Sequence, residues 1–252
     1  MRDKRISMVA LVLGLIFLYS PFFLIMIHSF HPADFFLYYK QFLTNFDILN
    51  GIFVSLKLAF TTTLIGLGVS LLVVLAIKNE HRMWSDILLY QFVLSDLSMS
   101  ISLFGMFVAL NIPTSIYTLG LSYIIVNTAS GAAIILQNLQ SDKHHDKLTQ
   151  AAQDLGASYF NIARYITIPR LREIIISTGL WNASHILEDV IFVNFLAGPS
   201  VSTLSMVMLA RMRAGIDLQL NALSSCIVLL FIVVNIFTLR KSCVTNVSRE
   251  TF

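Results

Sequence analysis

The sequence predicts an all-α membrane protein of six transmembrane helices, and three observations lead there. The first is composition: of 252 residues, 56% are hydrophobic and 12% charged, with a mean hydropathy of +0.77. Soluble domains carry about twice that charged fraction, and no single core hides so much apolar surface. The second is length. Six stretches reach the roughly 20 apolar residues that a helix needs to cross the hydrocarbon layer, at about 6–28, 51–77, 85–110, 114–137, 172–197 and 220–239. The third is the placement of basic residues. With the N-terminus in the cytoplasm, 13 of the 17 Lys and Arg fall in cytoplasmic segments, as the positive-inside rule requires. The predicted topology therefore puts both chain ends in the cytoplasm.

Taken in order, the first span follows a basic start (Arg2, Lys4, Arg5) and ends at Ile27-His28-Ser29-Phe30, which offers no small-residue cleavage site. It reads as a retained signal-anchor helix rather than a cleaved signal peptide. The segment from about 29 to 50 is external and rich in aromatics (Phe35, Phe36, Tyr38, Tyr39, Phe42), suited to lie along the interface as an amphipathic helix. The third span carries Asp96. The fifth is the least hydrophobic, with Asn182, His185, Glu188 and Asp189. Cys226 and Cys243 lie in or near the sixth, in no metal-binding or redox pattern, and read as buried thiols. No internal repeat and no linker is visible, so residues 1–252 are expected to form one transmembrane domain.

The cytoplasmic segment from about 138 to 171 is strongly polar. Within it Leu148, Ala151, Ala152 and Leu155 recur at helical spacing and make one apolar face. Gly156 stops that helix, Ser158 caps a second short helix from about Tyr159 to Tyr165, and Ile168-Pro169 ends it and starts the next span. Small residues at Ala151, Ala152, Gly156 and Ala157 permit close approach by a partner surface.

Gln150-Ala151-Ala152-Gln153-Asp154-Leu155-Gly156-Ala157-Ser158, followed by Ile168-Pro169, resembles the EAA loop of permease subunits in bacterial ABC importers. Glu188-Asp189-Val190-Ile191, Phe195 to Ser200, Gly215-Ile216-Asp217 and Asn221-Ala222-Leu223 are similar to the spermidine/putrescine branch, and the chain's length to the shorter of its two permeases. The resemblance implies a type I ABC importer permease in the bacterial inner membrane, moving polyamines by alternating access. It also implies that Leu148, Gln150, Ala151, Ala152, Asp154, Leu155, Gly156, Ala157, Ser158 and Pro169 form a coupling loop that docks into a cleft of an ATPase subunit. The implied partners are a pair of ATPase subunits, a second related permease, an extracytoplasmic solute-binding protein and membrane lipid. Two residues depart from the pattern. Gln150 stands where the family usually has Glu, losing a charge from the docking surface. Ser95 stands where the polyamine branch tends to have Pro, which removes the kink expected in the third span.

None of the 11 glycines is followed by Lys, so no phosphate-binding loop is present. The chain is not expected to be an enzyme or to hold a cofactor of its own; ATP belongs to the partner subunit. Adjacent His144 and His145 with Asp142 and Asp146 sit in a polar loop, where solvation explains them better than a metal. The net charge of +3 is dispersed, with no basic stripe to engage nucleic acid.

Three acids fall at bilayer depth: Asp96, Glu188 and Asp189. Each costs roughly 2.5–3.5 kcal/mol to insert, and the central parts of the spans hold no Lys or Arg to pair with them. Uncompensated carboxylates suit a cationic solute, which makes these three the candidate substrate pathway. The competing readings are helix–helix hydrogen bonding, passage of another solute such as ferric iron, a proton-coupled carrier using the acids as a relay, and an intramembrane enzyme, for which His185 and Asp189 at i, i+4 form the one available pair.

Overall fold

The computed structural model describes residues 44–77, 82–199 and 201–215, together with 8, 11, 14, 16–20 and 40. The predicted sixth span, Cys226, Cys243, most of the first span and most of the external segment 29–50 lie outside the described residues. So do Ile216, Asp217 and the side chains of His144 and His145. Two compact units are delimited, Asn50–Val207 and Met1–Leu49 with Met208–Phe252; the first carries the features that follow.

Among the described residues every element is helical. Helix α1 is Phe46–Ile77, α2 Arg82–Leu89, α3 Asp96–Ala109, α4 Ile116–Ser141 and α5 Lys143–Asp154. Helix α6 is Tyr159–Ile162, α7 Ile168–Glu188, α8 Ile191–Leu196 and α9 Leu204–Ala214. At 32 and 26 residues, α1 and α4 exceed the length needed to cross a bilayer. Their backbone polar groups are satisfied internally, as hydrocarbon demands. Large apolar side chains face outward along the bundle, among them Phe53, Phe60, Leu64, Leu72, Leu121, Ile176 and Leu180. Such an exterior suits lipid rather than water.

Helix α4 is the buried axis. A capping box starts it: Thr118 N–H donates to Ser115 Oγ (3.4 Å) and Ser115 N–H to Thr118 Oγ1 (2.8 Å). Leu119, Tyr123 and Val126 pack with Leu58, Phe107, Ile186 and Phe192 into one apolar cluster. Ala132, Ile135, Leu136 and Leu139 pack with Val74 and Leu171 into a second. Helix association in lipid relies on small residues that let backbones approach, and the α1–α4 seam is built that way. A Cβ placed on Gly66 would sit 2.8 Å from Asn127 Cβ, and one on Gly131 would sit 2.5 Å from Ser70 Oγ. Ser70 in turn hydrogen-bonds Gly66 O (2.7 Å) and Thr128 O (3.0 Å). Gly131→Val is therefore expected to cost roughly 1–3 kcal/mol through overpacking. Gly68→Ala, where nothing lies within 4 Å of the new carbon, should leave the melting temperature in detergent equal or higher.

The third and fifth predicted spans are broken, and each break has an identifiable cause. In the third, α2 and a 3-10 turn at Tyr90–Phe92 meet α3 at a bend of 105°. The kink expected to vanish with proline is therefore present. Ser95 adopts an extended conformation and caps α3, accepting from Ser98 N–H at 3.3 Å, so a serine ends one helix and opens the next without proline. In the fifth, α7 stops at Glu188; Asp189 is extended (φ −71°, ψ 123°) and α8 begins at Ile191.

Candidate docking loop and central cavity

The loop between α4 and α7 has the two-helix shape expected of it. Helix α5 ends in a Schellman motif. Ala157 N–H donates to Ala152 O (2.9 Å) and Gly156 N–H to Gln153 O (2.8 Å), with Gly156 at φ +80°. Ser158 then caps α6, accepting from Asn161 N–H at 3.4 Å. One detail differs from expectation. Ile168-Pro169 does not end the second helix. A π-helical turn at Ala163–Thr167 carries the chain from α6 into α7 without interruption, because Pro169 stands in the first turn of α7, where its missing N–H is not needed.

Leu148 is 48% and Leu155 89% exposed. Gln150, Ala151 and Asp154 are also exposed, and Ala152 and Ala157 half-buried. The opposite face, through Thr149 and Gln153, looks into a cleft of about 280 Å³ with Tyr159, Phe160 and Thr167. The apolar face of α5 thus points away from the protein body. Arg170 ties the two ends of the loop together: its Nε and Nη2 donate to the two oxygens of Asp142, the latter at 3.1 Å, a fork-to-carboxylate pair. Sequence reading placed Asp142 beside the two histidines and missed this pair, which joins residues 28 apart. Among the described residues no group of three metal-binding side chains occurs.

The two breaks face each other across a cavity of about 480 Å³. Gln91, Ser95, Asp96 and Met99 line it from the α2–α3 bend; Val126, Asn127 and Ser130 from α4; Trp181, Asn182 and His185 from α7; and Ile191 from α8. Its polar side is partly self-satisfied. Ser130 Oγ donates to Asn182 Oδ1 (3.1 Å), Asn182 Nδ2 to Asn127 O (3.3 Å), and Gln91 Nε2 to Val126 O (2.7 Å). Gln91 Oε1 and Asn127 Nδ2 are buried without a protein partner, leaving hydrogen-bonding capacity at the cavity wall.

The three candidate acids separate here. Asp96 lies in the cavity, its Oδ2 3.6 Å from His185 Nε2. Glu188 is exposed. Asp189 is 7% exposed and engaged structurally: it accepts from Tyr123 Oη–H (2.9 Å) and from the N–H groups of Ile191 (2.8 Å) and Phe192 (3.1 Å). It is the N-cap of α8 in function. His185 and Asp189, adjacent on a helical face in the sequence, do not form the catalytic-type pair; His185 turns to Asp96. The sequence reading also passed over Gln91, Asn127, Ser130 and Trp181. The signal for part of that set was available, since Tyr123, Asn127 and Ser130 mark one polar stripe at helical spacing in an otherwise apolar span.

No family model matches the chain. Among its curated relatives, the putrescine transport system permease protein PotI of Escherichia coli (strain K12) is 27% identical over 238 residues, covering 87% of this chain and 84% of the relative. The spermidine/putrescine transport system permease protein PotC of Escherichia coli (strain K12) is 26% identical, covering 86% of each. The PotC of Haemophilus influenzae is 23% identical, covering 85% of this chain and 87% of the relative. A solved bacterial ABC transporter involved in the import of the acidic polysaccharide alginate superposes with a TM-score of 0.72 at 16% identity, covering 95% of this chain and 96% of that one. The chain has the fold of an ABC importer permease. Its homologues are polyamine-transport permeases, as the residues at 150–158 and 188–200 implied. That these relatives are permeases agrees with a chain that lacks a phosphate-binding loop. The α6–α7 helix runs without interruption from the Gly156 corner beside α5 to Trp181, Asn182 and His185 at the polar cavity.

Proposed function

We propose that this chain is the membrane-spanning permease subunit of an ATP-driven polyamine importer of the bacterial inner membrane. The observation that carries the reading is the similarity, over about 86% of the chain, to permeases of putrescine and spermidine/putrescine transport systems. The cavity supports it. Its lining includes the carboxylate of Asp96 and the ring of Trp181 and, among the described residues, no Lys or Arg. A carboxylate attracts an ammonium group, and an indole face adds cation–π attraction. The working partners are a pair of ATPase subunits docked on the α5–α6 corner, a second related permease and an extracytoplasmic binding protein. ATP-driven closure of the ATPase pair shifts the population between outward- and inward-open states.

Proteoliposomes holding the complete complex with its binding protein should accumulate labelled putrescine or spermidine only when ATP is supplied. Uptake driven by a proton gradient alone would overturn the reading. Asp96→Asn should lower ATP-dependent uptake at least tenfold with the complex still assembled. Full uptake in that variant would remove Asp96 from the pathway.

A further inference from the structure

We propose that His185 is a built-in counter-cation for Asp96 and makes the cavity available to a cationic solute only while its imidazole is neutral. The inference rests on the reading above that the solute is a cation. Its basis is geometric. His185 Nε2 stands 3.6 Å from Asp96 Oδ2, and both side chains line the same cavity. They come from different helices, α7 and α3, so the pair closes across the space that a solute must enter. Both are partly open to that space, with side-chain exposures of 32% for His185 and 46% for Asp96, so the pair can be parted by a competitor rather than being locked in the core.

The other ionisable groups near His185 are accounted for. On its own helix Glu188 is exposed. Asp189 is committed to Tyr123 and to two backbone N–H groups. From α4, Tyr123 donates to Asp189 rather than to the imidazole, while Asn127 and Ser130 are uncharged. From α1, the residues against α7 at Gly179 are Thr63 and Leu67. The α2–α3 bend brings Gln91 and Asp96, and α8 has no ionisable residue. Asp189 also lies within electrostatic reach of His185, but its oxygens are taken by three donors, so among the described residues Asp96 is the carboxylate that pairs with the imidazole.

Histidine is the side chain whose charge ordinarily changes between pH 5 and 8. Protonated, it occupies Asp96 and adds a positive charge to the cavity, which opposes an incoming ammonium. Deprotonated, it releases the carboxylate and presents a ring that can accept a hydrogen bond from an ammonium. An alkyl ammonium keeps its proton throughout this range, as lysine does with a pKa of about 10.4, so the charge of the cargo does not change. The sign follows: acidification protonates His185 and uptake falls.

The test is ATP-dependent putrescine uptake by the reconstituted complex with its binding protein, at pH 7.5 and 5.5 on both sides. Wild-type uptake should be several-fold lower at pH 5.5 than at pH 7.5. His185→Gln and His185→Asn should bring the ratio below twofold, and His185→Lys should suppress uptake at both pH values. A wild-type ratio near one, or a ratio unchanged in His185→Gln, would overturn the proposal while leaving polyamine transport intact. Absence of putrescine uptake by wild type at pH 7.5 would instead overturn the functional reading and this inference with it. A measurement independent of turnover covers variants that do not transport. In the complex with ¹⁵N-labelled histidine, saturating putrescine should move the titration of the resonance missing in His185→Gln to lower pH, by the reciprocity of linked binding. An unmoved titration would also overturn it.

Discussion

Asp189→Ala is expected to destabilise the protein by roughly 3 kcal/mol, the sum of a lost helix cap and of buried donors left without acceptors. The carboxylate of Asp189 holds three donors at once: the phenol of Tyr123 and the N–H groups of Ile191 and Phe192. Tyr123 is 2% and Phe192 1% exposed, so water does not replace the lost acceptor. Tyr123 also packs against the Phe192 ring, with centroids 5.8 Å apart, and a shift of either disturbs the first apolar cluster. A loss of that size corresponds to a drop of about 6–12 °C in melting temperature for a chain of this length, read by size-exclusion in detergent. Asp189→Asn keeps one oxygen for the two backbone donors and lets the phenol act as acceptor, so it should recover more than half of the loss. If Asp189→Asn keeps the stability of the wild type but abolishes putrescine uptake, the charge of Asp189 acts on the cargo and the capping role is secondary.

Gly156→Val should lower ATP-dependent uptake at least tenfold with the complex still folded. At φ +80° a residue with a Cβ pays about 1–2 kcal/mol, and a β-branched one more. The chain relieves that strain by leaving the left-handed conformation, which breaks the bonds from Gly156 to Gln153 and from Ala157 to Ala152. The angle between α5 and α6 is set by those two bonds, so the exposed Leu148 and Leu155 would be presented in a different direction. Gly156→Asn should be milder, because asparagine tolerates this conformation. Uptake above half of wild type in Gly156→Val would show that the corner angle does not matter for coupling.

How much of this was legible in the sequence depends on whether a feature is local. The spans at 51–77 and 114–137 follow from apolar length, and the α5–Gly156–α6 corner from a 3.6-residue period ended by glycine and restarted by serine. All of these are decided within a few turns of chain. The bend before Asp96 is not legible from proline, because here Ser95 caps α3 and Gln91 anchors to Val126 O across the bundle at the bend. Asp189 was grouped with Asp96 as a pathway acid because sequence shows charge and depth but not partners. Its partner Tyr123 is 66 residues away. The pair of Asp96 and His185 was invisible for the same reason, since the spacing along the chain favoured His185 with Asp189. Distance along the chain, not chemistry, separated what could be read from what could not.

The π-helical turn at Ala163–Thr167 has a mechanical consequence. From Tyr159 to Glu188 the backbone is helical throughout, which at 1.5 Å per residue makes a strut of about 45 Å. One end of it stands at the exposed corner and the other, through Trp181 and His185, at the cavity wall. A helix resists compression along its axis far more than it resists bending at a break. A displacement applied at Tyr159 is therefore expected to reach His185 along the helix, and the give in the system lies beyond it, at the break where extended Asp189 holds the start of the next helix.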